Sequence, residues 1–214
     1  MTEYPKIQSI YKRNPETNFK TFLEGEFSLP EFEYLKNNTW IWTEKVDGTN
    51  IRVYWNNNES NKIQFAGRTD RAQIPPHLLK ELEHTFQPSQ FIELFTSDFV
   101  GEVILFGEGF GYKIQKGGKY LGDKVGFVLF DILVNGRWNT REQVEGTADF
   151  FCIPIVPIVG KGTLLDAVEI IKSKITKSEW GDFLCEGFVL RPEIELADRN
   201  GNRIITKIKH KDFV

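Results

Sequence analysis

Strong net charge, cysteine pairs and long hydrophobic runs are missing from this sequence, and each absence closes off a class of protein. A net charge of −3 supplies no global positive field, so any nucleic-acid binding has to rest on a local patch. The only cysteines, Cys152 and Cys185, have no CxxC neighbour. They are expected to be reduced, buried thiols of a cytoplasmic protein rather than a disulfide framework or a zinc site. The longest apolar runs, such as GFVLFDILV, are far too short to cross a bilayer. The N-terminal stretch MTEYPKIQSIYKRN is too polar for a signal peptide, so no membrane association is expected. His77, His84 and His210 are not spaced for a metal site, and the first two are expected at the surface of a helix. Neither GxxxxGK[ST] nor GxGxxG occurs, which excludes a P-loop and a dinucleotide-binding fingerprint.

What is present is a chain of 214 residues, 40% hydrophobic and 14% aromatic, ample for a core. It has no repeat, low-complexity tract or interdomain linker and is expected to form one domain over residues 1–214. Residues 62–68, 102–108, 125–132, 186–192 and 203–209 read as short strands rich in branched and aromatic residues. Three segments read as helices. Residues 75–86 open on prolines and put Leu78, Leu79, Leu82 and Phe86 on one stripe. A second begins at Thr140 with Gln143 completing a capping box. A third, capped by Thr163, puts Leu164, Leu165, Val168, Ile171 and Ile175 on one face. Polar residues 54–62 are expected to form a hairpin loop. Strands and helices do not alternate strictly, which favours an α+β fold with mostly antiparallel sheets flanked by helices.

The charges are placed unusually. In WTEKVDGTNIRVYW, an extended backbone puts Lys45 and Asp47 on one face and Glu44 and Val46 on the other, before Gly48 breaks the run. Glu108 ends a strand, Asp131 lies inside FVLFDILV, Glu186 opens EGFVLRP, Arg68 ends FAGR, and Lys207 and Lys209 share a face of IITKIK. Ionised groups in apolar strands are costly unless they are paired or used. Each also has a plain structural reading: a surface ion pair for Lys45 and Asp47, an Arg68–Asp70 pair, a core phenylalanine for Phe130, a satisfied buried carboxylate for Asp131. Lys113, Lys116 and Lys119 form either a basic rim reaching a polynucleotide backbone or a solvated hairpin.

Taken in order, these residues resemble the covalent nucleotidyltransferases, the ATP-dependent RNA and DNA ligases and the mRNA capping guanylyltransferases. The resemblance runs from about residue 40 to 210. EKVDG is similar to the nucleotidyl-lysine motif, FGEG to the third motif, FVLFDI to the next, EGFVLRP to the fourth and TKIKHKDF to the last, K-x-K. EKVDGTN, GRTD and FGEGFGYKIQKGGKYLG are most similar to the RNA ligase branch that seals nicks in duplex RNA. DNA ligases usually carry arginine two residues after the motif glycine, where this sequence has Asn50.

The resemblance implies an ATP-grasp-like nucleotidyltransferase domain, ATP with Mg2+ or Mn2+ as cofactors, and RNA ends or a nicked RNA duplex as partner. It implies that Lys45 attacks the α-phosphate of ATP to give lysyl-AMP, that AMP passes to a 5′-phosphate, and that a 3′-hydroxyl displaces it. A lysine with an ordinary pKa of about 10.4 must lose its proton to attack, and lowering that value by ~3 units corresponds to about 4 kcal/mol. Lys207 and Lys209 are expected to contribute by like-charge repulsion, Asp47 to oppose it. Gly48 is expected to allow close approach or a backbone bend beside the nucleotide. By the same resemblance Glu44 reads the adenine edge, Asn50 and Arg68 contact nucleotide or end phosphate, Glu108 holds the ribose, Phe130 stacks on adenine and Glu186 is the metal ligand. No OB-fold or helical module fits into the five residues after Lys209. End recognition is therefore expected from the Lys113–Lys119 segment and Arg68, or from a partner protein. Two alternatives stand beside the RNA ligase: a minimal DNA ligase, and a nucleotide or RNA-end binder without turnover.

Overall fold

A computed structural model describes residues 1–58, 62–95 and 99–213. In chain order the first elements are β1 (Gln8–Ser9), β2 (Tyr11–Arg13), β3 (Phe22–Phe27), α1 (Pro30–Tyr34), β4 (Trp40–Glu44), β5 (Thr49–Asn56) and β6 (Ile63–Gly67). Then follow α2 (Pro76–Thr85), α3 (Pro88–Phe95), β7 (Glu102–Gly111), α4 (Gly118–Leu121), β8 (Val125–Val134), β9 (Arg137–Trp138) and α5 (Arg141–Phe151). The last are β10 (Ile158–Gly162), α6 (Leu164–Ser173), β11 (Lys177–Ser178), β12 (Gly181–Leu184), β13 (Gly187–Pro192) and β14 (Thr206–Lys209). The chain forms two compact units, one of Met1–Tyr4 with Asp47–Val156, the other of Pro5–Val46 with Pro157–Val214.

The first unit is built on an antiparallel sheet in the order β6-β5-β7-β8-β9. Alternation along the strands divides its two faces. Ile51, Val53 and Trp55 of β5 and Val103 and Leu105 of β7 pack with Leu78 and Leu82 of α2, Phe91 of α3 and Phe151 of α5. Each fully buried leucine contributes about 1.5–3 kcal/mol relative to exposure. Leu78, Leu82 and Phe86 of the α2 stripe are buried as expected, whereas Leu79 is only half-buried. The Thr140 capping box of α5 matches expectation, and its two hydrogen bonds are both present. Asn50, Arg52 and Glu108 lie on the opposite face, where Asn50 pairs with Glu108 and Arg52 with Phe106 across β5 and β7. A bulge in β8 leaves Phe130 unmatched, since Phe106 pairs with Asp131 and Gly107 with Leu129.

The second unit carries a sheet in the order β1-β14-β13-β4-β10, antiparallel except for the β1–β14 pair. Trp40 and Trp42 of β4, Phe188 and Leu190 of β13 and Ile208 of β14 pack with Leu164, Val168 and Ile171 of α6. Thr163 caps α6 as expected, within a capping box closed by Asp166. Leu165 and Ile175, however, are exposed. The helix ends at Ser173, where Lys174 turns left-handed with φ 53°, so the predicted stripe is one turn too long. Cys152 also departs from expectation. It ends α5 in the left-handed region with φ 54° and is exposed, while Cys185 is buried. The molecule is thus an α+β fold with mostly antiparallel sheets. Among the described residues no helix is long and apolar enough to cross a membrane.

Candidate active site

Three neighbouring strands of the second unit determine where its charges fall. Glu44 pairs with Phe188 across β4 and β13, and Phe188 with Ile208 across β13 and β14. These residues face the core. Thr43, Val189 and Lys207 therefore belong to the opposite face, with Lys209 two residues beyond Lys207 and opposite Gly187. Lys45 follows the end of β4, but its amide still donates to the Gly187 carbonyl at 2.9 Å, prolonging the pairing by one residue.

This register brings Lys45, Glu186 and Lys209 together. Lys45 Nζ donates to Glu186 Oε2 at 2.7 Å, and Lys209 Nζ to Glu186 Oε1 at 2.5 Å. Burial pushes the Glu186 carboxyl up, but attraction to Lys45 and the hydrogen bonds and charge of Lys209 outweigh it, so the group lies below its ordinary value and is ionised. Gly187, beside this carboxylate, has φ 154°, and a Cβ there would collide with the Ile208 carbonyl oxygen. Only glycine fits that turn into the strand.

Glu44 points the other way. It is buried, and its carboxylate accepts hydrogen bonds from the Ser178 hydroxyl at 2.5 Å and the Glu179 amide at 2.8 Å. Glu44 is thus a buried carboxylate already held by partners from its own unit. Behind the cluster, buried His210 donates from Nδ1 to the Ile171 carbonyl at 2.7 Å, and its Nε2 lies 3.4 Å from Cys185 Sγ. Burial lowers the His210 pKa, so the imidazole is neutral and the thiol donates to Nε2.

Lys45 and Asp47 do not share a strand face as the extended reading required. β4 ends at Glu44 and the chain bends at Asp47 and Gly48 before β5. The main segment of the first unit begins at Asp47, whose amide donates to the Tyr120 hydroxyl oxygen at 3.1 Å. Gly48 is required for packing: a Cβ there would meet Cγ of Glu108 at 2.8 Å and collide with the Gly109 carbonyl oxygen. The close approach seen at Gly48 is to β7.

On the polar face of the first unit, the Asn50 side-chain oxygen is buried and finds no donor among the described residues. It lies directly across from Glu108. Phe130 is half-buried at the β8 bulge, with the Tyr4 ring edge-on at 5.0 Å. Asp131 is buried and accepts from the Tyr4 hydroxyl at 2.5 Å. Arg68 is exposed just past β6. It is not the partner of Asp70, which instead receives buried Arg52 at 2.7 Å. Arg52 also donates to the carbonyls of Gly67, Met1 and Thr2. Lys113 and Lys119 stand over the rings of Tyr112 and Tyr120 in the connection from β7 to β8.

Tyr4, Arg52, Tyr120 and Ser178 were not foreseen as neighbours of these groups. Only Arg52 gave a signal, a cation inside the apolar run NIRVYW. Among the described residues no group of three or more His, Cys, Asp or Glu could hold a metal ion. Glu186 is a single ionised oxygen donor, which fits a hard divalent cation taking its remaining ligands from phosphates and water.

A sequence model of the RNA ligase family matches residues 38–209. Similar solved structures include a Naegleria gruberi RNA ligase mutant in the apo form, 19% identical with a TM-score of 0.63, covering 98% of this chain and 57% of that one. A mutant of the same enzyme with ATP and Mn is 20% identical at a TM-score of 0.63, covering 98% and 59%. The enzyme with PPi is 20% identical at 0.62, covering 97% and 57%. The chain therefore spans under three-fifths of the length of these structures.

Proposed function

Starting from a chain that belongs to the RNA ligase family, we propose that it is an ATP-dependent adenylyltransferase that joins 5′-phosphate and 3′-hydroxyl RNA ends through a lysyl-AMP intermediate on Lys45. The observation that carries this reading is the Lys45–Glu186–Lys209 cluster, which lies within the residues that match the family. A lysine with no chemical task has little reason to be held beside a second lysine through one shared carboxylate.

The chemistry assigned to each group follows from its character. Lys45, once its ammonium has given up a proton, attacks the α-phosphorus of ATP. The N–P bond forms as the bond to pyrophosphate breaks. An oxygen of an RNA 5′-phosphate then attacks the same phosphorus, and the N–P bond breaks to return the lysine. Finally a 3′-hydroxyl oxygen attacks the 5′-phosphorus and AMP leaves. Lys207 and Lys209 suit the negative charge that builds on the transferred phosphate. A magnesium or manganese ion would be held by Glu186, and when bound it neutralises phosphate charge. Asn50, with its buried unpaired oxygen, and Glu108 opposite it offer acceptors suited to nucleoside hydroxyls. Phe130 offers a stacking face.

The test is incubation with α-labelled ATP and magnesium, followed by denaturation. Covalent, acid-labile label mapped to Lys45, lost in Lys45→Ala and not formed equally from GTP, is expected. Label on another residue, or label that washes off, would overturn the assignment in favour of another nucleophile or a mere binder.

A further inference from the structure

The second unit contains a cavity of about 780 Å3 whose walls include Lys6, Lys20, Lys207, Lys209 and Lys211. We propose that this groove is the seat of a polyribonucleotide backbone, an RNA strand whose phosphates lie against the lysines that line it. The proposal rests on the RNA ligase reading above and adds the surface by which the substrate is held.

Charge is the first argument. The protein carries a net −3, yet this groove is lined by five lysines and Arg13 against one acid, Asp212. That acid pairs with Arg13 at 2.8 Å, and Lys209 is itself paired with Glu186 at 2.5 Å, which leaves the charge argument to the remaining lysines. Lys6, Lys20 and Lys211 are exposed and, among the described residues, make no ion pair. Unpaired ammonium groups converging on one concavity raise the local concentration of an anion, and a repeating anion meets several of them at once.

The second argument is an aromatic ring. Phe19, also on the wall, is 62% exposed and left-handed, with φ 60°, directly after Asn18 at φ 51°. A bulky residue is uncommon in that region and needs its surroundings to hold it there. They do: the Phe19 amide donates to the Asn14 carbonyl at 2.9 Å and Arg13 reaches the Lys20 carbonyl at 3.3 Å. The loop thus keeps an apolar ring in solvent beside cations, the combination that single-stranded nucleic acid uses, bases on the ring and phosphates on the ammoniums. A free triphosphate would use the charge but has no need of the ring.

Fluorescein-labelled single-stranded RNA bearing a 5′-phosphate is titrated with wild type, with the triple variant Lys6→Ala/Lys20→Ala/Lys211→Ala, and with Phe19→Ala, from ~50 to ~200 mM salt. Adenylation from ATP alone is measured in parallel and also reports folding. The triple variant should bind at least roughly tenfold more weakly at the lowest salt, with a log–log salt slope shallower by about 2–3, since each phosphate contact contributes roughly 0.7–0.9. Phe19→Ala should weaken binding by roughly tenfold with the slope unchanged. Adenylation should persist in both. An unchanged slope in the triple variant, or displacement of RNA by inorganic tripolyphosphate at equal phosphate concentration, would overturn the groove. Absence of enzyme–AMP in the wild type, with RNA binding still sensitive to the three lysines, would instead remove the ligase reading and leave the groove standing.

Discussion

Replacing Glu186 by glutamine preserves shape and removes the carboxylate that Lys45 and Lys209 share. The side chains of Glu186, Lys45 and Lys209 are 15%, 21% and 16% exposed, so the cluster is half-buried. Breaking a fully buried pair costs ~3–5 kcal/mol, whereas exposed pairs are worth about 0–1 kcal/mol. Residual solvent and the hydrogen bond an amide oxygen can still accept reduce the expected loss to about 2–3 kcal/mol. For a chain of 214 residues, each kcal/mol moves Tm by about 2–4 °C, so the variant should melt ~4–12 °C lower at neutral pH. The pH dependence is the sharper readout. Burial raises the Glu186 pKa, but Lys45 and Lys209 bring it below its ordinary value. Its contribution is therefore present above the ordinary carboxylate range and lost as pH falls through the lower folded value. The gap between wild type and Glu186→Gln should close on acidification, because a protonated glutamate resembles glutamine. Thermal melts from pH 7 downward measure it, with Glu26→Gln, which removes the exposed Lys12 partner, as control. A gap that persists unchanged into acid, or one no larger than the control's, would refute the reasoning.

Gly48→Ala should lower soluble yield and melting temperature, since its Cβ would press on Glu108 and the Gly109 carbonyl; overpacking of this kind costs about 1–3 kcal/mol, and an unchanged melt would show that β7 can give way. Arg52→Met should cost roughly 3 kcal/mol in a denaturant titration, because the carbonyls of Met1, Thr2 and Gly67 lose a buried donor, whereas Asp70→Asn should cost much less. Thr163→Ala removes the α6 cap and should cost about 1 kcal/mol.

Where local pattern decides structure, the sequence was readable. The α2 stripe, Leu79 apart, and the Thr140 and Thr163 caps are local patterns, and they stand as expected. The strands β6, β7, β8 and β13 fall on the predicted segments because branched and aromatic runs leave few alternatives. The length of α6 was misread because Ile175 continues the helical period in sequence after Lys174 has left the helix. Periodicity cannot register a left-handed cap on a lysine. The extended reading of Lys45 and Asp47 failed for a similar reason: alternation was carried through a stretch where the backbone bends.

Long-range pairing is a different matter. The cluster was foreseeable in composition, since Lys45, Glu186 and Lys209 each stand next to a strand-forming run, but the motif order does not say that one carboxylate bridges both lysines. That follows from register, Gly187 opposite Lys209 and the Lys45 amide on the Gly187 carbonyl. The basic groove was invisible for a stronger version of the same reason. Lys6 and Lys20 come from the start of the chain and Lys211 from its end. Two short strands bring these ends together, with Gln8 beside Thr206 and Ser9 beside Lys207 in the parallel pair of β1 and β14. A two-residue strand has no period to detect. The charges of residues 6–20 and 207–211 acquire a common meaning only once that pair forms, so a net acidic chain can carry a concentrated cationic surface that neither its composition nor any single motif announces.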